Sequence, residues 1–146
     1  MYGRNASCYI RIPFELTAKD IESTGGLVLK VRYDDGFIAY LSGAEVQRVI
    51  FDGTPAWDSG ATDNHFDLDA IDLEPFGLSD HIDQLRVGRN VLAVQGLNAG
   101  ATSSDFLISV ELTVTEGAAG TPSGTSETAI SYTSPVMLNA STPIKA

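Results

Sequence analysis

From Phe106 to Thr115 the chain alternates with a period of two. Phe106, Ile108, Val110, Leu112 and Val114 fall on one side, Ser109, Glu111, Thr113 and Thr115 on the other. Successive side chains of a β-strand point to opposite faces, so this pattern is a strand with one oily face that something must cover. Leu27, Leu29, Val31 and Tyr33 alternate in the same way against Lys30 and Arg32, and Cys8, Ile10, Ile12 and Phe14 against Tyr9, Arg11 and Glu15. Helical periodicity is scarce between them. Amphipathic ribbons at both ends of a chain need two stacked sheets, because a single open sheet would leave an apolar face in water. The expected fold is all-β: a β-sandwich of jelly-roll type with roughly seven to nine antiparallel strands and little helix.

Punctuation residues place the other elements. Pro13 lacks an N–H, which puts the first strand at a sheet edge. Thr17 as N-cap, with Asp20 three residues on, predicts a short helical turn that ends at Gly25-Gly26. Asp34-Asp35-Gly36 turns the chain, with Gly36 expected at φ > 0, and Phe37–Leu41 pairs with Glu45–Phe51 around Ser42-Gly43. Residues 52–64 show no periodicity and form a long loop carrying the only tryptophan, Trp57. Phe66–Leu73 reads as a strand, and Ser79–Leu85 as a helical turn capped by Ser79. Asn90–Leu97 is apolar nearly throughout, which predicts a strand covered on both faces. Beyond Glu116 the pattern stops: residues 117–129 read as a flexible Gly/Ser/Thr linker, and residues 130–146 as a fragment of a following module or a weakly packed extension. The sandwich module is then residues 1–116.

Charge narrows the partners. Nineteen acids face nine bases, for a net charge of −10. This argues against nucleic acid, whose phosphates need clustered Lys and Arg, and against anionic membrane surfaces. No apolar run reaches the ~18 residues needed to span a bilayer, and no signal-peptide pattern is present. Cys8 is the only cysteine, so it forms no internal disulfide and no Cys-based zinc site, and its alternation with Ile10 and Ile12 makes it a small core residue.

The segments "YIRIPFEL", "LVLKVRYDDGFIAYLSGAEV", "AWDSGATDNH", "LRVGRNVLAVQGLN" and "SSDFLISVEL" occur in that order. As a set they resemble a β-sandwich module of large secreted or surface proteins of bacteria, found beside CotH-type and lamin-tail modules. That family usually has Asn-Gly where this chain has Ser42-Gly43. The plan is also similar to the galactose-binding-like jelly roll beside the catalytic barrel of many glycosidases. The Asp-Asp-Gly turn resembles the PA14 family, some of whose lectins use neighbouring aspartates to hold calcium. The "YTSPVMLNASTPIKA" terminus is similar to the start of a chitobiase C-terminal-like module. These resemblances imply an extracellular or cell-surface setting, further catalytic or surface modules in the same parent chain, and a calcium ion as the candidate cofactor.

Catalytic signatures are missing from the sequence. The two histidines, His65 and His81, belong to no H-E-x-x-H motif, and there is no G-x-S-x-G elbow. Asp67, Asp69 and Asp72 break the calcium-loop pattern, because Ala70 fills a ligand slot and the glycine is missing. The expectation is a binding protein and not an enzyme. Sugars offer C–H faces to aromatic rings and hydroxyls to polar side chains. Trp57, Tyr40, His65, Asp58 and Arg48 are therefore the candidate ligand-binding residues, and the acid-rich loops suggest a neutral polysaccharide. For each there is a plainer alternative. Trp57 could plug one end of the sandwich, Tyr40 could face the second sheet, and Asp34 and Asp35 could hold calcium or simply turn the chain. Asp105, in Ser103-Ser104-Asp105, reads as a turn anchor, with Asn98 tying to it. The function expected is a non-catalytic carbohydrate-binding module; the alternative is a structural or adhesive spacer, marked by a buried Trp57 and no groove.

Overall fold

The computed structural model describes residues 1–117. The expected linker beyond Gly117 and the segment from residue 130 onward lie outside the described residues. Seven strands are formed: β1 (Ser7–Leu16), β2 (Thr24–Asp34), β3 (Gly36–Leu41), β4 (Ala44–Val49), β5 (Glu74–Gly77), β6 (Gly88–Leu97) and β7 (Leu107–Glu116). They make a four-stranded sheet in the order β1-β6-β3-β4 and a three-stranded sheet in the order β5-β2-β7. Every pairing is antiparallel. Only the β3–β4 hairpin stays within one sheet; each other step between consecutive strands changes sheet. The result is the all-β sandwich that the alternating ribbons require.

Local chemistry explains most of the element ends. Thr17 caps the short helix α1 (Ala18–Ser23) through a capping box: Asp20 N–H donates to Thr17 Oγ1 and Thr17 N–H donates to Asp20 Oδ2. Pro13 sits in β1, an edge strand as expected. At the β3–β4 turn Ser42 has φ 51° and Gly43 φ 98°, the doubly left-handed form that suits a two-residue hairpin.

Four readings need correction. The Asp34-Asp35-Gly36 segment is a corner that passes the chain from one sheet to the other, not a hairpin, and Gly36 is not left-handed. Its glycine is required by close approach instead, since a Cβ there would lie 2.7 Å from the Val49 carbonyl oxygen. Phe66–Leu73 is not a strand. Asp67–Ala70 forms the single-turn helix α2, with Asp67 and Asp69 in its first turn, where carboxylates favour helix. Only Ala70 of that turn is buried, and Phe66 and Leu68 face solvent. Ser79 starts a 3₁₀ turn (Ser79–Gln84) but does not cap it; its hydroxyl accepts the Leu27 N–H. Cys8 is half-buried and lies outside the core.

The core fills the space between the sheets. Leu27, Leu29, Val31 and Tyr33 of β2 meet Phe37, Ala39 and Leu41 of β3 and Leu92 and Val94 of β6. Ile108, Val110 and Leu112 of β7 pack against them. A second, smaller cluster lies on the opposite side of the four-stranded sheet, where Ile38, Phe51 and Leu97 are packed by Tyr40 and Ala61. The loop after β4 has folded back over that outer face, and this positions the site.

Candidate functional site

The outer face of the four-stranded sheet is only half covered. Beyond the Ile38–Phe51–Leu97 cluster it opens into a groove of about 700 Å³, within the usual size range of small-molecule sites. Its floor comes from β6, whose Val91, Ala93 and Gln95 alternate outward. Across three strands Arg11, Ala93 and Tyr40 lie in register, so a methyl group forms the floor between a guanidinium and a phenol. Tyr9 and Arg11 of β1 are on one side, Tyr40 of β3 and Ser42 of the β3–β4 turn on the other.

The wall is the long loop, and its backbone is pinned to the sheet. Gln95, buried on the floor, donates from Nε2 to the Ala56 carbonyl at 2.8 Å and to Ser7 Oγ at 3.0 Å. Tyr9 Oη donates to the Trp57 carbonyl at 2.9 Å. Ser7 Oγ donates to the Ser59 carbonyl, and Ser59 Oγ accepts the Ala56 N–H. With its main chain held in this way, Trp57 turns its ring outward: it is 72 % exposed and lines the groove, so it does not plug the sandwich.

The far end is built by Asn90. This buried side chain accepts the Arg86 N–H and donates to the carbonyls of Arg86 and Gly88, which fixes the turn carrying Arg86 and Arg89 to the groove mouth. Arg86 Nη2 donates to the Ser42 carbonyl at 3.2 Å.

Of the five expected ligand residues, the structure brings Trp57 and Tyr40 together. Burial pushes the Tyr40 phenol up, so it remains a neutral hydroxyl at ordinary pH. The other three do not line the groove. Arg48 is held by Glu45 and the Gly53 carbonyl and lies over the Phe51 ring. His65 stacks on Tyr33 with centroids 4.3 Å apart, its Nδ1 2.8 Å from the Tyr33 carbonyl oxygen. Asp58 projects into solvent beside Trp57. Sequence reasoning missed Tyr9, Arg11, Arg86, Arg89 and Gln95. The first two were on the outward side of the β1 alternation; nothing local marked the others.

A separate acidic corner forms where β2 passes into β3. Carboxylate oxygens of Asp34, Asp67 and Asp105 lie within 4.8 Å of one another and could hold a metal ion. Asp105 also accepts from Ser103 Oγ, as expected of a turn anchor. Asp35 stands outside that trio. Its Oδ1 accepts the His65 N–H at 3.1 Å and its Oδ2 the Ala99 N–H at 2.6 Å, so it braces two loops. The adjoining Asn98 is buried with its Oδ1 unpartnered. Burial pushes Asp34 up to about 6; its hydrogen bond to Asp35 and the charges of Asp35, Asp105 and Asp67 push the same way.

No protein-family model matches the chain, and no curated protein matches it. Among solved structures it is similar to part of the β-D-mannosidase from Dictyoglomus thermophilum, at 15 % identity and a TM-score of 0.41 over 62 % of this chain and 9 % of that one. It is also similar to part of the Streptomyces avermitilis α-L-rhamnosidase complexed with L-rhamnose, at 18 % identity and a TM-score of 0.44 over 78 % and 11 %. The chain thus spans about a tenth of the length of these proteins. Among the described residues no helix is long and apolar enough to cross a membrane.

The folded chain keeps a proton on Asp34 that the unfolded chain releases near its ordinary value of 3.8, so this residue makes stability fall as pH rises from about 4 to about 6. Asp34→Asn removes that contribution. In metal-free buffer the substitution is expected to flatten the decline in melting temperature across that window; an unchanged slope contradicts the assignment.

Proposed function

We propose that the chain is a non-catalytic carbohydrate-binding module of a larger extracellular or cell-surface protein, which it docks onto a polysaccharide. Residues 1–116 would form the module, 117–129 would tether it, and 130–146 would begin the next. The observation that carries this reading is the open groove with Trp57 exposed on a backbone pinned by Tyr9 and Gln95. A rigidly presented aromatic ring loses little freedom on binding and offers a flat apolar face to sugar C–H groups. Tyr40 adds a phenol, and Gln95 and the arginines add polar partners. Among the described residues the groove lining holds no carboxylate or imidazole, the commonest general acid–base groups, and in this reading its tyrosines and arginines serve as binding partners. The spacer alternative predicts a buried Trp57 and no groove, and it is less well supported.

Affinity electrophoresis or calorimetry against a panel of polysaccharides tests the reading. Trp57→Ala should weaken binding roughly tenfold or more while leaving the melting temperature nearly unchanged; Tyr40→Ala should weaken it similarly and also lower the melting temperature, because Tyr40 packs on the Ile38–Phe51–Leu97 cluster. Equal binding by wild type and Trp57→Ala removes the groove from the function.

The acidic corner favours a second, compatible property, calcium-dependent stability. Its donors are hard oxygens, three converging carboxylates. Calcium takes six to eight such ligands. No Lys or Arg forms an ion pair with these carboxylates among the described residues. Calcium at 100 times its dissociation constant should stabilise the fold by about 2.7 kcal/mol. The gain should disappear with chelator, in Asp105→Asn, and below pH 6 as Asp34 takes up its proton. A melting temperature indifferent to calcium ends this reading.

A further inference from the structure

The groove carries a charge opposite to that of the protein around it. The chain has nine Lys and Arg residues, and three of them, Arg11, Arg86 and Arg89, line the groove, whereas among the described residues no acid does. We propose that its ligand is an anionic polysaccharide whose sugars bear carboxylates, with Arg11 and Arg89 gripping the carboxylates while Trp57 and Tyr40 pack against the sugar rings. The inference rests on the groove being the glycan site and goes beyond it by naming the ligand class.

The arginines are available for such a role. Among the described residues the one ion pair is Arg48 with Glu45, away from the groove lining. Arg89 lies across from Glu15 on the neighbouring strand without reaching ion-pairing distance. Arg11 stands beside Ala93, which offers it no polar partner. Arg86 commits one nitrogen to the Ser42 carbonyl and keeps its charge. Guanidinium groups spaced along one groove offer several partners to a ligand that carries repeated negative charges. A carboxylate matches the planar guanidinium fork through two parallel hydrogen bonds, which a neutral hydroxyl cannot do.

Glu15, across from Arg89, and Glu45, whose charge reaches Tyr40, border the groove without lining it. Fields from acids more than about 8 Å away are largely screened at physiological salt. The neutral ligand suggested by the acid-rich loops loses its basis, because the acids of those loops are not in the lining. Asp34, Asp67 and Asp105 converge on the separate corner, and Asp58 faces solvent.

The test uses the full chain with chelator present, which prevents calcium from bridging acids. The probes are polygalacturonate, alginate, fully methyl-esterified polygalacturonate, neutral galactan, a sulfated dextran and a single-stranded oligonucleotide. The proposal expects a free uronate polymer to bind at least about tenfold more tightly than the methyl ester. That binding should weaken from about 0.01 M to about 1 M NaCl, as the Debye length shrinks from ~30 Å to ~3 Å. Arg11→Gln and Arg89→Gln should each reduce it about tenfold with the thermal melt unchanged. Equal binding of acid and ester, or neutral-glycan binding lost in Trp57→Ala but indifferent to both arginine variants, overturns the inference and leaves the carbohydrate-binding reading intact. Preference for the sulfated polymer overturns the carboxylate assignment. Binding to no glycan, or to the oligonucleotide in preference, overturns both.

Discussion

The structure turns on one strand that is apolar on both faces. β6 directs Leu92 and Val94 into the space between the sheets and Val91, Ala93 and Leu97 to the outside. An inner face of a sandwich is covered by the partner sheet; an outer one needs a cover of its own, at roughly 25 cal/mol for each Å² of apolar surface removed from water. The loop after β4 provides that cover for half the strand's length, laying Phe51 and Ala61 over Leu97 and Ile38. Where the cover stops, the remaining outward face of β6 becomes the floor of the groove. Gln95 lies between the two regimes, and its buried amide NH2, which donates to both Ser7 Oγ and the Ala56 carbonyl, joins the loop to the sheet. The cover is incomplete, and that incompleteness produces a site.

The same loop connects to the acidic corner. Asp35 receives backbone N–H groups from His65, at the loop's end, and from Ala99, just after β6. Ala61 N–H donates to the Asn98 carbonyl, so the loop's middle is tied to the same place. Charge is sorted between these two regions. Carboxylates gather at the corner where the chain changes sheet, while arginines gather around the groove. A net charge summed over the chain conceals this separation.

The sandwich was legible because its ribbons alternate with period two and have nowhere else to bury their oily sides. Pro13 at an edge and the Thr17–Asp20 capping box followed from single-residue chemistry; β6 is apolar on both faces as expected, but its outer face is covered over only part of its length. Phe66–Leu73 did not, because its alternation of Phe66, Leu68 and Ala70 with aspartates imitates a strand, yet no sheet edge takes it up, and only Ala70 is buried. Tyr40 and Trp57 could be named in advance as aromatic residues on a strand and a loop. Whether they met depended on where a long loop folds back, which is decided by Tyr9 and Gln95 from strands distant in sequence. His65, Arg48 and Asp58 are polar side chains of the kinds that bind sugar hydroxyls, but side-chain type does not fix which way each one faces. Local partners, Tyr33 for the histidine and Glu45 for the arginine, took two of them elsewhere.

The account places ligand binding on the outer face of the four-stranded sheet. Amide chemical-shift mapping during titration with a bound oligosaccharide tests that placement most directly. The account predicts perturbations concentrated on Tyr9, Arg11, Tyr40, Trp57, Val91 and Ala93, with the indole N–H of Trp57 among the largest. Perturbations confined to Asp34, Asp67 and Asp105, or spread without preference over both sheets, would contradict it.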